Sequence, residues 1–285
     1  MCGSTRTEHD FTKDSYELRR CSACDLVAVA NPPDAEDLAR IYSPDAGYHE
    51  AWADSESETV RRERKLARRQ LDAVEAGLTG TSRGALLDVG CSVGLFLEEA
   101  RSRGWTVAGV EFNQATAAVA RRRRGLDVVD GALEDAGLAP GSFDVVTLWD
   151  VIEHVPDPLA TLRAAAAVLR PGGSLWIETP NIGGLFPRVS YRVASRLHYW
   201  PHPEPPHHLF QFSADSLRHT LERAGFELVS ETTERIPLRY TFGTTAQMRE
   251  KPMKAGYAAV FAPFAALGPI VGSGDTLVVR AVRTP

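Results

Sequence analysis

The chain has 285 residues, room for one large domain or two small ones. Its 37 Asp and Glu outnumber 32 Lys and Arg, and the resulting formal charge of −5 argues against a protein that grips nucleic acid by charge alone. With 44% hydrophobic and 24% charged residues and only four cysteines, wholesale disorder, collagen-like repeats and a disulfide scaffold are excluded.

The first 20 residues are polar and charged and lack the apolar core of a secretory leader, so a cytoplasmic protein is expected. Residues 1–45 form a cysteine-bearing amino-terminal segment that holds Cys2, Cys21 and Cys24 and the turn-like Asn31-Pro32-Pro33. Residues 46–83 read as a helical linker or lid, with one charged helix over about 51–78. From 84 to 285, apolar runs alternate with helical patterns, which is the signature of an α/β sheet covered by helices on both faces. Strands are expected at Ala85–Val89, Thr106–Glu111, Asp127–Val129, Phe143–Trp149, Gly173–Thr179, Phe226–Glu234 and Thr276–Val282. Helices are expected near Leu95–Arg103, Gln114–Arg123, Pro158–Leu169 and Ala214–Ala224, and Pro171-Gly172-Gly173 reads as a turn. Two long connections, Pro180 to about Phe212 and about Pro237 to Asp275, have the length of functional lids or of segments with structure of their own. The apolar stretch from Ala255 to Gly272 is broken by Pro263, Gly268 and Pro269 and falls short of the about 20 residues of a span. It is expected to be buried or substrate-facing, with no membrane span. The basic groups Arg61–Arg69 and Arg121–Arg124 read as solvated helix faces.

The strand Ala85–Val89 runs into Gly90-Cys91-Ser92-Val93-Gly94 and then a helix, the arrangement a ligand needs at the carboxyl end of a sheet. Glycine lets the backbone approach a ligand closely. The next strand ends at Glu111, 23 residues after Asp88, where a carboxylate can accept hydrogen bonds from both hydroxyls of a ribose. A dinucleotide site would want G-x-G-x-x-G to receive a pyrophosphate. Here the spacing is Gly90-x-x-x-Gly94, and Asp88 would repel a pyrophosphate but could hold a water or an ammonium group.

Asp88-Val89-Gly90-Cys91-Ser92-Val93-Gly94 resembles the first motif of class I S-adenosylmethionine-dependent methyltransferases, with Ser92 where many members carry glycine. Glu111 matches their ribose-binding acid. Gly131-Ala132-Leu133-Glu134 matches the adenine segment, with Ala132 where the family often has Asp, so Leu133 backbone or Glu134 would substitute. Phe143–Asp150, Leu169–Gly173, Thr179-Pro180-Asn181 and Leu221–Phe226 continue the likeness over about 200 residues. The resemblance implies a Rossmann-like, seven-stranded doubly wound sheet with an antiparallel last strand, S-adenosylmethionine as cofactor, and methyl transfer to a small-molecule acceptor, first of all at a hydroxyl oxygen. The cofactor-binding set it implies is Asp88, Gly90, Cys91, Gly94, Glu111, Leu133, Glu134 and Trp149. An Ala- and Arg-rich composition points to natural-product or sugar tailoring, and a homodimer is left open.

In Asp150-Val151-Ile152-Glu153-His154, a helix after the fourth strand would bring positions i, i+3 and i+4 to one face. The segment resembles ubiquinone-biosynthesis O-methyltransferases, which implies Asp150, Glu153 and His154 as ligands of a divalent cation such as Mg2+. The other readings are His154 as base with Glu153 orienting it, or a local structural tie. The later loop holds His198, Tyr199, Trp200, His202, His207 and His208 among prolines and reads as an acceptor-site wall, with His208 a second base candidate or a fastening residue. Cys21-Ser22-Ala23-Cys24 is a C-x-x-C pair, and some relatives begin with a small zinc ribbon. That resemblance implies Cys2, Cys21 and Cys24 as zinc ligands, with the partner of Cys2 preceding Met1 or with His9 as an incomplete alternative. Two other classes remain at this point: an NAD-dependent oxidoreductase and a non-catalytic S-adenosylmethionine-binding protein.

Overall fold

The computed structural model describes residues 2–34, 37, 40–41, 57–78, 83–194, 204–244 and 249–284. The chain opens with three strands, β1 (Thr7–Lys13), β2 (Tyr16–Cys21) and β3 (Val27–Val29). Helix α1 (Glu58–Ala76) starts at Ser57, whose side chain accepts from Val60 N, and buries Val60, Ala67, Leu71 and Val74 along one stripe. The part of the expected charged helix at 51–56 lies outside the described residues.

Strand, helix and strand then alternate: β4 (Ala85–Val89), α2 (Leu95–Ser102), β5 (Thr106–Glu111), α3 (Gln114–Arg124), β6 (Val128–Asp130), β7 (Phe143–Trp149), α4 (Pro158–Val168) and β8 (Leu169–Pro180). Helix α3 begins at Asn113, which accepts from Thr116 N, and stops at Gly125 in the left-handed conformation. Helix α4 is capped by Asp157 with proline in its first turn. The expected turn at Pro171–Gly173 is instead taken into the long β8, where a register shift against β7 absorbs Gly172 at φ +76°. The rest of the chain gives α5 (Leu185–Ala194), β9 (Phe210–Gln211), α6 (Ala214–Arg223), β10 (Phe226–Glu234), α7 (Leu238–Phe242), α8 (Pro252–Leu267), a 3-10 turn (Gly268–Val271) and β11 (Thr276–Arg283).

The main sheet has the order β10-β11-β8-β7-β4-β5-β6, with β11 antiparallel to both neighbours and β4 to β8 parallel. This is the expected seven-stranded doubly wound sheet. The central strands read as apolar runs because both their faces are covered. On one face Leu87, Val146, Leu148 and Ile177 pack with Leu162 and Ala165 of α4 and Leu217 and Leu221 of α6. On the other, Leu86, Val145 and Trp176 pack with Leu71, Phe96, Leu97 and Ala117 from α1, α2 and α3.

A second sheet, β1-β2-β3-β9, is antiparallel throughout, pairing Val27 with Gln211 and Ala28 with Phe210. The amino-terminal segment therefore shares a sheet with the connection after β8. The basic groups are more engaged than solvated helix faces would be: Arg64 pairs with Glu98 at 2.8 Å, Arg69 with Glu234 and Arg121 with Asp130.

Both long connections carry helices. Pro263 does not break the apolar stretch: α8 runs through it, and Met253–Val271 is the one stretch among the described residues long and apolar enough to cross a membrane. One side of it packs in an aromatic cluster with Phe186 and Phe242.

Leu148 is fully buried in the middle of β7. Leu148→Ala leaves a cavity in close-packed surroundings, and urea denaturation should show a loss of about 2–5 kcal/mol. A loss below about 1 kcal/mol would mean that the sheet is not packed as described.

Candidate active site

Parallel strands end on one edge of the sheet, and this chain places an acid at or beside the end of each: Asp88 on β4, Glu111 on β5, Asp130 on β6, Asp150 after β7 and Glu178 on β8. All but Asp130, which pairs with Arg121, line one cleft of about 1010 Å3 that runs from α1 across the strand ends to the Glu204–His208 loop. Sequence reasoning picked Asp88, Glu111 and Asp150 and missed Glu178, for which the acid at each strand end was the available signal, and Glu63 of α1, which had none.

The turn after β4 is built around backbone that few side chains tolerate. Gly90 has φ +72°, and a Cβ there would lie 2.5 Å from Val151 Cγ2. Ser92 has φ +52°, so the residue that replaces the family's glycine occupies a left-handed conformation that costs about 1–2 kcal/mol for a residue with a Cβ. Glu111 holds the turn, its two carboxylate oxygens accepting from Ser92 N at 2.8 Å and from Asn113 N at 2.8 Å. Burial pushes its pKa up, and these two donors oppose the shift. Asp88 accepts from Thr147 Oγ1 at 2.7 Å, directly across the β4–β7 pairing. Burial foremost, with the nearby Glu111 charge adding to it against the Thr147 hydrogen bond, raises its carboxyl to about 7.

Gly90, Cys91, Leu133 and Trp149 also line the cleft. Trp149 stands edge-on to Phe96 at 5.5 Å, and its buried Nε1 has no hydrogen-bond partner among the described residues. The structure puts Gly94 and Glu134 elsewhere. Gly94 heads α2 at φ +85°, and a Cβ there would meet Leu126 Cδ1 at 2.3 Å, so its smallness serves packing. Glu134 accepts from Thr161 Oγ1 at 2.5 Å, and it is Thr161 that reaches the cleft wall.

The segment after β7 is a turn, not the expected helix. Asp150 adopts φ +53°, and His154 N donates to Val151 O at 2.9 Å. Consequently Glu153 and His154 meet His208, from a loop 54 residues further on, rather than Asp150. The ligand atoms of Glu153, His154 and His208 lie within 4.8 Å of one another, and the rings of His154 and His208 are 4.7 Å apart. Asp150 stands apart from this trio on the cleft wall, where burial and then the charges of Glu153, Glu178 and Glu63 hold its carboxyl well above the usual range.

The loop is fastened by the Glu153 carbonyl, which accepts from Leu209 N at 2.8 Å and Phe210 N at 3.1 Å, and by Val29 N donating to Leu209 O at 2.9 Å. His154 Nδ1 donates to His207 O at 2.8 Å, which leaves Nε2 as the basic nitrogen, 3.9 Å from Glu153 Oε1. Burial lowers the His154 pKa below its ordinary value, against the His207 carbonyl and Glu204, which raise it. Glu153 Oε2 accepts from Thr179 Oγ1 at 2.9 Å while Oε1 is buried without a hydrogen bond, and burial lifts this carboxyl to about 7. Of the expected aromatic and histidine wall, residues 198–202 lie outside the described residues.

The amino-terminal cysteines gather in a separate place. Cys2 Sγ is 3.4 Å from Cys21 Sγ, and with Cys24 all three sulfurs lie within 4.8 Å. Cys21 and Cys24 border a cavity of about 380 Å3 whose lining shares no residue with the cleft. Burial acts to raise the Cys21 thiol, but the N–H groups of Ala23 and Cys24 and the neighbouring thiols bring it down to about 7. Three such sulfurs could hold three corners of a tetrahedral zinc ion. His9 is not in the group; its Nε2 bonds to Thr12 Oγ1 at 2.9 Å.

Comparison with known proteins identifies the family. Residues 60–231 match the family described as a methyltransferase domain. The chain is 38% identical over 112 residues to a ubiquinone biosynthesis O-methyltransferase of Pseudomonas paraeruginosa, a match covering 37% of this chain and 47% of that one. It is 34% identical over 154 residues to the protein of the same name from Idiomarina loihiensis, covering 52% and 61%. The chain thus spans about half the length of the curated relatives it matches. Among solved structures, an S-adenosylmethionine-dependent methyltransferase of Thermotoga maritima, described as a possible histamine N-methyltransferase, superposes with a TM-score of 0.54 at 21% identity over 87% of this chain and all of that one. That likeness shows the fold, and the family match sets aside the dinucleotide oxidoreductase. A glycine-turned cleft walled by strand-end acids and a match covering more than half of the chain together place this protein among the class I S-adenosylmethionine-dependent methyltransferases.

Proposed function

We propose that the chain methylates a hydroxyl oxygen of a small molecule bound over the Glu153–His154–His208 cluster. The observation that carries this reading is His154, half-buried, below its ordinary pKa and locked by the His207 carbonyl with Nε2 as its basic nitrogen. A neutral imidazole at pH 7 is what an acceptor hydroxyl needs in order to lose its proton. The curated relatives' name as O-methyltransferases supports oxygen as the methylated atom.

The cofactor fits the cleft by the chemistry of its donors. Glu111 would accept from the ribose hydroxyls, Asp88 would face the amino-acid end from below the Gly90–Ser92 turn, and Leu133 and Trp149 would flank the apolar parts. The acids along the wall suit a ligand with an ammonium and a sulfonium charge. When bound, S-adenosylmethionine supplies an electrophilic methyl group and leaves as S-adenosylhomocysteine. The acceptor proton passes to His154 Nε2, and Glu153, 3.9 Å away, stabilises the imidazolium that forms. Holding the acceptor oxygen in line accounts for much of the barrier reduction.

The same three donors, two imidazoles and a carboxylate oxygen without a hydrogen bond, fit a divalent cation. Such an ion would acidify a hydroxyl bound to it. Glu153, His154 and His208 would be its protein ligands.

Three outcomes test these assignments. Glu111→Ala should weaken S-adenosylmethionine binding about 10- to 100-fold by calorimetry, because hydrogen bonds to a charged group are lost; an unchanged affinity removes Glu111 from the site. His154→Gln should lower kcat about 10²- to 10⁴-fold while cofactor affinity stays within about threefold. If the wild type instead loses its turnover in EDTA and Mg2+ restores it, the cation and not the imidazole alone activates the acceptor. Because Asp88 loses its proton near pH 7, its attraction for an ammonium group grows as pH rises through that value. Cofactor affinity should increase up to about tenfold from pH 6 to 8, and the slope should flatten in Asp88→Asn. A flat profile in the wild type would separate Asp88 from the bound charge.

A further inference from the structure

Between Lys254 and Asp275 the chain carries no charged residue. Most of this stretch is α8 and the 3-10 turn after it. One side is buried, with Tyr257, Ala258, Phe261 and Ala265 packed on Phe186 of α5 and Phe242 of α7. The other side is open and equally apolar: Met253, Val260 and Leu267, seven residues apart, are 67%, 56% and 45% exposed, and Ile270 and Val271 extend the stripe at 81% and 57%. A helix apolar on every side belongs in a core or against lipid, and a continuous exposed patch of this kind marks a contact surface.

Charge selects the occupant. Helix α5, which packs behind α8, and residues 238–275 hold Arg188, Arg192, Arg239, Arg249, Lys251 and Lys254, against Glu250 and the buried Asp275, in a chain whose overall charge is −5. A symmetric pairing with a second copy would set these like charges against each other. An anionic surface meets both features at once. The helix is held from behind by the aromatic cluster, so it cannot be surrounded by lipid. Pro263, itself on the exposed side, also leaves the Ala259 carbonyl without an intrahelical donor, a group that the watered interface satisfies and the hydrocarbon centre does not.

We propose that this face docks on an anionic phospholipid bilayer, with α8 and the following turn lying in the headgroup plane, the apolar stripe inward and the basic side chains against the phosphates. Arg239 of α7 lines the cleft with Ile236 and Pro237, and Phe242 of the same helix packs on α8, so α7 joins the docked face to the cleft.

The test is co-sedimentation of the whole chain with vesicles of pure phosphatidylcholine and with vesicles containing about one-third phosphatidylglycerol. At least about tenfold more protein should bind the anionic vesicles, less of it as salt is raised. Val260→Glu and Ile270→Glu should abolish the binding, and Lys251→Glu with Lys254→Glu should reduce it to the level of phosphatidylcholine. All four positions lie outside the cleft, and retained S-adenosylmethionine binding shows that the variants are folded. No binding to anionic vesicles, or equal binding to both kinds, overturns the proposal. So does a dimer in analytical ultracentrifugation that Ile270→Glu dissociates while the wild type ignores vesicles.

Discussion

Burial of carboxylates at the ends of parallel strands is the constraint on which the rest of the molecule turns. The sheet delivers Asp88, Glu111, Asp150 and Glu178 to a single cleft, and removal from water drives each of these acids toward its neutral form. Between about pH 4 and 7 the folded chain keeps a proton on Asp88 that the unfolded chain gives up, so this group lowers stability as pH rises through that window. The fold tolerates the arrangement because backbone N–H groups donate to Glu111, Thr147 to Asp88 and Gln70 to Glu178. What remains is a pocket with an appetite for positive charge, and a ligand carrying an ammonium and a sulfonium relieves the same crowding that the strands create.

The cluster at Glu153 depends on a different kind of construction. No helix presents these side chains. Asp150 bends the chain sharply after β7, Glu153 uses its carbonyl to hold Leu209 and Phe210, and the loop so held offers the His207 carbonyl to His154. Each contact joins parts of the chain more than 50 residues apart. The imidazole is thereby oriented by backbone, which does not titrate, while its acidic neighbour Glu153 does.

The sheet was legible because its central strands are covered on both faces and so appear as plain apolar runs, and their ends fell where glycine and acid interrupt them. Asp88 to Gly94 and Glu111 were legible because the turn and the strand beside it are local. The helix expected after β7 failed because spacing alone does not reveal that Asp150 takes a left-handed conformation. The two-residue β9 was not legible, since its pairing with Val27 and Ala28 is a tertiary event without a pattern of its own. Gly94 and Glu134 were given to the ligand on resemblance; neither lines the cleft, Gly94 packing against Leu126 and Glu134 accepting from Thr161. Pro263 promised a break, yet an exposed proline on a helix anchored along its other side is carried through.

The pairing of β3 with β9 makes the amino-terminal hairpin a splint for the strip of chain that carries His207 and His208. Cys21 ends β2 and Cys24 lies in the turn leading into β3, so whatever tightens or loosens that turn, an ion gained or a thiol oxidised, pulls on the strip through the Val27–Gln211 and Ala28–Phe210 pairs and the Val29–Leu209 hydrogen bond. A hairpin that looks dispensable from its position at the edge is thus wired in series with the imidazoles, and the two would be expected to drift together or be lost together among descendants of this chain.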